Sequence, residues 1–314
     1  MRELSLSEYE ERFCDRTESA AGARLFLSEA ADFPLPKRKT QSHKYSYGRA
    51  VVIAGSTGFS GAPVLAANAC EKSGAGLTHL LVPESIYLAA AIGCDGAVVT
   101  PLPATEAGCL SPAALPKICQ ALEKARACVI GPGLGTGEDS EALVLALLQE
   151  ASCPLVLDAD GLSVCAKHLD FLRAYPAPLI LTPHEGEFRR LGGDLTGGRL
   201  SGVLAFLREC PNAILILKGY GTLVCRAGEV AVNPTGGPAM AKGGSGDVLC
   251  GILTALLAQG FDAWFAARCA VYLHGLAGDL AAEALGEYCL APSDLIRYLP
   301  MSFRGICSEG QKHL

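Results

Sequence analysis

The sequence predicts an α/β fold built on a mostly parallel sheet with helices on both faces. Six short, almost continuously apolar runs alternate with longer stretches in which apolar residues recur at helical spacing. This alternation is typical of parallel strands that are buried on both sides. The predicted strands are 49–54, 77–82, 127–130, 154–157, 178–181 and 213–217, and the predicted helices between them are 62–73, 110–125, 140–150 and 197–209.

The segments on either side of this alternating region follow other patterns. Residues 222–233 form two short apolar runs around a Gly-containing turn, which predicts a β-hairpin. Residues 1–40 form a polar, partly helical leader that ends in a Pro-rich break. We expect this leader, one domain over 41–300 and a tail over 301–314. The last third is predicted to be helical at 245–259, 263–285 and 291–299.

Composition argues against several classes of protein. The chain has 314 residues, of which 50% are hydrophobic and 18% are charged, enough for a large core. The net charge is -6 with no basic block, so we expect no nucleic-acid partner. No apolar run is long enough to predict a membrane span. Fourteen cysteines are spread evenly without a CxxC pair, and no secretory signal is visible, which predicts a reduced, cytoplasmic protein.

The segment 233–247, Asn-Pro-Thr-Gly-Gly-Pro-Ala-Met-Ala-Lys-Gly-Gly-Ser-Gly-Asp, carries the strongest functional signal. Glycines next to a helix start allow backbone N–H groups to converge on one point, where the helix dipole adds positive potential. This predicts an anion pocket, most often for phosphate. Asp247 lies at its mouth, where a carboxylate can accept the proton of an attacking hydroxyl. The alternative is a glycine-rich turn followed by an ordinary N-terminal Asp.

Four other predicted strands end in chemically suggestive loops. In open parallel sheets ligands bind at the carboxyl ends of the strands, so we expect these loops to share one crevice. None matches the phosphate loop of the Walker type or the GxGxxG dinucleotide fingerprint. The loops are Gly-Ser-Thr-Gly-Phe-Ser-Gly-Ala at 55–62, Gly-Pro-Gly-Leu-Gly-Thr-Gly at 131–137, Asp-Ala-Asp-Gly at 158–161 and Thr-Pro-His-Glu-Gly-Glu at 182–187.

Polar side chains in these loops are candidate site residues. Asp158 and Asp160 are candidates for catalytic carboxylates, water-mediated metal contacts or helix N-caps. His184 follows a strand end and is more accessible to a ligand than a core histidine. Glu185 and Glu187 either join the site or only cap the next helix.

A lysine and two glycines follow the last predicted parallel strand. Lys-Gly-Tyr-Gly-Thr at 218–222 suits contact with a nucleotide, and the alternative is an ordinary turn into the hairpin. The histidines have no companions that suggest a metal site, so we predict no dedicated metal ligands.

Taken together and in this order, the loops resemble those of the NAD(P)H-hydrate dehydratases, which are nucleotide-dependent repair enzymes of the ribokinase-like superfamily. The resemblance runs from about Ser42 to about Gly286. It implies a ribokinase-like three-layer sandwich, with a central, mostly parallel sheet and helices on both faces. The family-like strings lie at 42–44, 61–62, 72–77, 131–135, 158–162, 182–185 with Glu187, 218–219 and 240–247.

The resemblance implies a metabolite-repair reaction. Hydrated NADH or NADPH, (6S)-NADHX or NADPHX, is dehydrated through a phosphorylated intermediate, with ADP or ATP as phosphoryl donor and Mg²⁺ accompanying the nucleotide. Phosphate is a far better leaving group than hydroxide, which makes the route chemically sensible. The family also implies homo-oligomers as one possibility. Only about 40 residues precede the match, too few for the epimerase domain of many members, so we expect the epimerase on a separate chain.

Residue roles follow from family position. Asp247 is the expected catalytic base, and the backbone N–H groups of the glycine-rich turn just before it are the expected anion hole. The implied anion hole comprises Gly244, Ser245 and Gly246; the implied contacts to hydrated cofactor are Ala62, Gly133, Gly135, His184 and Asp247; the implied nucleotide contacts are Lys218, Gly219, Tyr220, Gly221, Thr222 and Gly246.

Two positions depart from the family pattern, and two alternative functions stay open. The family usually has Asn where this chain has Gly237 and Ser163. The first alternative is a superfamily kinase for a small alcohol, of the hydroxymethylpyrimidine or hydroxyethylthiazole type, which would stop after phosphorylation. The second is a non-catalytic nucleotide-binding protein on the same fold.

Overall fold

Eleven strands form one sheet in a computed structural model that describes residues 1–14, 19–20 and 22–310. Residues 15–18, 21 and 311–314, which belong to the predicted leader and tail, lie outside the described residues. The strands are Arg2–Glu3 (β1), Arg24–Leu27 (β2), Arg49–Ile53 (β3), Leu77–Pro83 (β4), Val98–Leu102 (β5), Ala127–Ile130 (β6), Leu155–Leu157 (β7), Leu179–Leu181 (β8), Ala213–Leu217 (β9), Leu223–Arg226 (β10) and Glu229–Val232 (β11).

Helices cover both faces of the sheet, which confirms the predicted α/β class. One face carries α1 and α4 to α9, and the other carries α2, α3 and α10 to α12, each packed on its own apolar core. The helices are Leu6–Phe13 (α1), Gly61–Lys72 (α2), Tyr87–Gly93 (α3), Leu115–Leu122 (α4), Glu138–Glu150 (α5), Ala159–Cys165 (α6), Leu169–Ala174 (α7), Glu185–Arg190 (α8), Arg199–Glu209 (α9), Ser245–Ala258 (α10), Ala263–Leu285 (α11) and Pro292–Gly310 (α12).

The strand order contains one reversal that positions the site. The order is β1-β2-β11-β10-β9-β8-β7-β6-β3-β4-β5, and the strands from β9 to β5 are mutually parallel. The chain runs outward from β3 to β5 and then returns to β6 on the other side of β3. Since the connections from β3 and β6 leave in opposite directions, this is the topological switch point, above which open α/β sheets have their ligand crevice.

Helix α10 lies against α2, and this contact brings the two helix N-termini together. A side-chain carbon on Gly251 would lie 2.3 Å from the carbonyl oxygen of Ala66, so the close approach of the helices requires glycine. Every residue of α10 from Val248 to Ala258 is buried. The loop before α10 is therefore held by a helix that is packed into the core.

Some sequence expectations were wrong in detail. The predicted helix 110–125 is shorter in the structure, where a 3₁₀ turn at Pro112–Ala114 is followed by α4. Pro112 and Pro116 restrict the backbone at the start of this helix. The predicted helix 291–299 continues through Pro300 to Gly310. Strands β1, β2 and β5 were not predicted. The described part of the chain contains no helix with the length and apolar character to cross a bilayer.

Candidate active site

The loops after β3 and β6 are bonded to each other at the crevice. The N–H of Gly55 donates to the carbonyl of Pro132 at 2.9 Å, and the Ser56 hydroxyl donates to the carbonyl of Gly133 at 2.8 Å. A side-chain carbon on Gly133 would lie 3.3 Å from the Cβ of Ala62. Two of the residues expected to contact the hydrated cofactor, Ala62 and Gly133, therefore line the same point of the crevice.

The loop after β7 continues this surface. The carboxylate of Asp160 accepts the N–H of Gly135 at 2.9 Å, which joins the loops after β6 and β7. Helix α6 begins at Ala159 and is preceded by Asp158, whose side chain makes no capping bond. The N-cap interpretation of Asp160 is therefore wrong, because its side chain holds a neighbouring loop.

Asp158 is the centre of a buried polar cluster at the ends of β7, β8 and β9. Its side chain is 2% exposed and accepts hydrogen bonds from the Thr182 hydroxyl at 2.7 Å and from the Lys218 ammonium at 2.8 Å. Glu187 lies 3.7 Å from the same ammonium. Burial alone would lower the pKa of Lys218, but Asp158 and Glu187 outweigh it and raise that pKa, so Lys218 stays charged.

His184 is the N-cap residue of α8 and is oriented by the first turn of that helix. Its Nδ1 accepts the N–H groups of Gly186 at 2.9 Å and Glu187 at 3.2 Å, and the Glu187 carboxylate accepts the N–H of His184 at 2.8 Å. Glu187 thus completes a capping box, as the cap interpretation predicted. Because Nδ1 is an acceptor, a neutral ring carries its proton on Nε2. The side chain is 53% exposed, so it remains accessible to a ligand.

The loop 241–244 before α10, called the phosphate loop from here on because an anion is expected there, ends in a left-handed turn. Gly244 has φ of 97°, a conformation that favours glycine, and precedes the first helical residue, Ser245. The Ser245 hydroxyl donates to the Met240 carbonyl at 2.8 Å, and its own carbonyl accepts the ring N–H of His274 at 2.9 Å. Burial lowers the pKa of His274 to about 4, so this ring stays neutral and serves as a fixed support.

Asp247 and Gly246 face the buried cluster from the first turn of α10. A side-chain carbon on Gly246 would lie 3.3 Å from the Lys218 ammonium and 3.8 Å from the Asp158 carboxylate. Burial, reinforced by the negative charge of Asp158, raises the pKa of Asp247 to about 7. A carboxyl group with such a pKa is suited to accept and return a proton near neutral pH.

Hydrogen bonds from a side chain on α9 hold the turn at 218–222 in place. The Arg199 guanidinium donates to the carbonyls of Tyr220 at 2.5 Å and Leu217 at 3.2 Å. The Thr222 hydroxyl closes the turn on the Gly219 carbonyl at 2.8 Å. Tyr220 is 72% exposed. The turn therefore presents an ordered backbone beside the Lys218 ammonium, where a nucleotide contact was expected.

The loop after β5 belongs to this surface and was not predicted. Its Gly108 carbonyl accepts the N–H of Thr57 at 3.0 Å, so the loop packs on the turn after β3. A side-chain carbon on Gly135 would lie 2.8 Å from the sulfur of Cys109. The signal in the sequence was weak, because β5 contains Pro101 and lies at the edge of the sheet.

The two departures from the family pattern lie on different elements of the fold. Gly237 lies beside Asp279, whose carboxylate accepts the N–H of Gly236 at 2.9 Å, so it flanks the phosphate loop. Ser163 lies on α6 and accepts a hydrogen bond from Arg190 at 3.3 Å. Neither replaces a member of the Asp247 and Asp158 cluster. Among the described residues no group of three His, Cys, Asp or Glu is arranged to hold a metal ion.

Asp158→Asn is expected to shift the acid limb of the pH–rate profile to lower pH. Burial raises the pKa of Asp247, the Asp158 charge raises it further and the Lys218 charge lowers it, so removing the Asp158 carboxylate lowers that pKa. Because a base acts in its ionised form, activity would then persist at lower pH. kcat/KM measured from about pH 5 to about pH 9 tests this. Asp170→Asn, which alters a 92% exposed carboxylate on α7, should leave the profile unchanged.

Comparison with known proteins places this chain in a family. The family described as NAD(P)H-hydrate dehydratase matches residues 50–301. A bifunctional NAD(P)H-hydrate repair enzyme of Moorella thermoacetica is 40% identical over 291 residues, covering 91% of this chain and 55% of that protein. One from Gloeobacter violaceus is 44% identical over 264 residues, covering 83% and 51%. The chain spans about half the length of these curated relatives.

Solved structures agree in fold. The ADP/ATP-dependent NAD(P)H-hydrate dehydratase of Bacillus subtilis, co-crystallised with ATP/Mg²⁺, is 30% identical with a TM-score of 0.74, covering 90% of this chain and 98% of that chain. A ribokinase-like superfamily protein of Enterococcus faecalis is 26% identical with a TM-score of 0.79, covering 90% and 96%. The predicted ribokinase-like fold is thereby confirmed, and the chain belongs to the NAD(P)H-hydrate dehydratase family.

Proposed function

We propose that this chain dehydrates (6S)-NADHX or NADPHX to NADH or NADPH, with ADP or ATP as phosphoryl donor. The observation that carries the proposal is Asp247, whose pKa is raised to about 7 at the N-terminus of α10. It lies in the first turn after Gly244 and beside the Lys218–Asp158 pair. A proton acceptor next to converging backbone N–H groups suits transfer of a phosphoryl group to a hydroxyl.

The proposed reaction has two stages. The hydroxyl oxygen of the hydrated ring attacks the terminal phosphorus of the nucleotide, Asp247 accepts the hydroxyl proton, and the bond from phosphorus to the leaving nucleotide breaks. The backbone N–H groups of Gly244, Ser245 and Gly246 stabilise the charge on the transferred group. The carbon–oxygen bond then breaks with loss of phosphate and of a proton from the neighbouring carbon, which restores the ring double bond.

The two ends of the crevice would hold the two substrates. The loops that carry Ala62, Gly133 and Gly135 would contact the hydrated cofactor, with the Nε2–H of His184 as a donor. The turn from Lys218 to Thr222 would contact the nucleotide. Hydrogen bonds join these loops into one surface that carries the expected contacts to both substrates. This favours the dehydratase over a kinase for a small alcohol, which needs only the part of the site around Asp247 where the phosphoryl group is transferred.

Magnesium would enter with the nucleotide. Carboxylate oxygens are its preferred protein ligands, and those of Asp158, Asp160 and Glu187 all act on Asp247 electrostatically. These residues would hold the ion through its water molecules. The ion supplies neutralisation of phosphate charge.

We also propose the cellular compartment of the reaction and the partners of this chain. The described cysteines are free thiols and eight of them are buried, which suits a reducing, cytoplasmic compartment. The partners would be the hydrated cofactor and an adenine nucleotide, with self-association as a further possibility to be measured by light scattering.

The direct test supplies enzymatically hydrated NADH together with Mg²⁺ and either ADP or ATP. We expect recovery of reduced-nicotinamide absorbance with at least one donor, and loss of that recovery when a chelator removes Mg²⁺. Recovery with neither donor would overturn the proposal. Phosphorylation of a hydroxymethylpyrimidine or hydroxyethylthiazole without any such recovery would instead support the small-alcohol kinase.

A further inference from the structure

The part of the site around Asp247, where the phosphoryl group would be transferred, carries more negative than positive charge. Three carboxylates, Asp158, Asp160 and Glu187, surround Asp247, and the raised pKa of Asp247 reflects burial together with this negative potential. The nearest cation, Lys218, is already paired with Asp158 at 2.8 Å and lies 3.7 Å from Glu187. A nucleotide tail brings several further negative charges. The charge of Lys218 alone therefore cannot neutralise the phosphates of the donor nucleotide.

Lys242 carries a charge that no carboxylate neutralises in the part of the chain that the structure describes. Lys242 lies on the phosphate loop two residues before Gly244 and is exposed to solvent. Its ammonium donates to the carbonyl of Tyr288 at 2.9 Å, a neutral acceptor, and makes no ion pair there. The Lys242 charge is thus available at the edge of the anion pocket.

The contact that holds Lys242 is easily exchanged. Tyr288 is 96% exposed and lies between α11 and α12, so water can replace the ammonium at its carbonyl. The same connection flanks the anion pocket, since a side-chain carbon on Gly244 would lie 3.0 Å from Pro292. Lysine has a flexible four-carbon stem that allows the ammonium to turn without movement of the backbone.

We propose that Lys242 leaves the Tyr288 carbonyl when the nucleotide binds and contacts the terminal phosphate oxygens of the donor. This role rests on the proposed function, because it requires a nucleotide at the phosphate loop. During transfer a bond forms from the substrate oxygen to phosphorus, and the bond to the bridging oxygen breaks. Lys242 offsets the negative charge on the oxygens of the transferred phosphoryl group, the leaving nucleotide keeps the bridging oxygen, and Asp247 holds the proton.

The test compares nucleotides that differ only in their number of phosphates. Lys242→Met keeps the length of the side chain and removes its charge. We expect about tenfold weaker binding of ADP and ATP by calorimetry, with AMP binding little changed, because a charge-assisted hydrogen bond to the terminal phosphate is lost. Lys242→Arg should retain most of the affinity. Lys117→Met, an exposed lysine on α4 across the sheet, is the matched control and should bind all three nucleotides normally.

The outcomes separate this role from a purely structural one. A loop-holding role through Tyr288 would lower the affinity for AMP, ADP and ATP equally, and that result overturns the proposal. Unchanged ADP and ATP binding by Lys242→Met overturns it as well, while leaving the proposed function intact. A wild-type chain that binds no adenine nucleotide overturns the proposed function, and the role of Lys242 with it.

Discussion

Asp247→Asn is expected to lower turnover by about 10³–10⁴-fold while nucleotide binding persists. The amide cannot accept the proton of the attacking hydroxyl, whereas the backbone N–H groups of the anion pocket stay in place. Single-turnover dehydration measures the loss, and calorimetry with ADP measures the binding. Near-normal turnover of this variant would exclude Asp247 as the base. Asp170→Asn on α7 provides the control for loss of one carboxylate.

The same substitution is expected to stabilise the fold above neutral pH. The pKa of Asp247 is about 7 in the folded chain against an ordinary 3.8, so its ionisation opposes folding above about pH 7. That cost decreases as the pH falls from about 7 to 3.8 and is absent below 3.8, where the unfolded chain also keeps the proton. We expect Asp247→Asn to melt a few degrees above the wild type at pH 8 and by a smaller margin at about pH 5, which lies between the two pKa values. An equal difference at both pH values would contradict the raised pKa.

Lys218→Met is expected to reduce both stability and activity. It leaves the carboxylates of Asp158 and Glu187 without their cation in a buried cluster, at a cost of about 3 kcal/mol in the free energy of unfolding. It also raises the pKa of Asp247 further, because the Lys218 charge lowers that pKa. The acid limb should therefore move to higher pH, opposite to the shift in Asp158→Asn. Denaturant unfolding and kcat/KM profiles measure the two effects.

The double variant Asp158→Asn, Lys218→Met provides the control for this pair. Removing both charges leaves no unpaired ion at the ends of β7 and β9, so part of the lost stability should return. Strictly additive destabilisation would show that the 2.8 Å contact contributes no coupling. Glu187 remains in the double variant and limits the recovery.

Most of the parallel sheet was predictable from local pattern. Strands β3, β4, β6, β7, β8 and β9 are buried on both faces, so each is a short, nearly unbroken apolar run. The edge strands were not predictable in this way. Strand β5 is half-exposed and contains Pro101, while β2 owes its place to parallel pairing with the distant β11. A partner so far along the chain leaves no local signal.

The sequence alone determined which chemical groups are available and at which strand ends they lie. The glycines before α10 and the position of Asp247 in its first turn are local features, because helix starts and tight turns depend on neighbouring residues. The tertiary structure decided the interactions of these groups. Parallel register brings Asp158 to Lys218 across 60 residues, directs Asp160 to Gly135, and buries Asp247 beside the Asp158 charge. A pKa depends on distance and burial in space, and chain spacing determines neither.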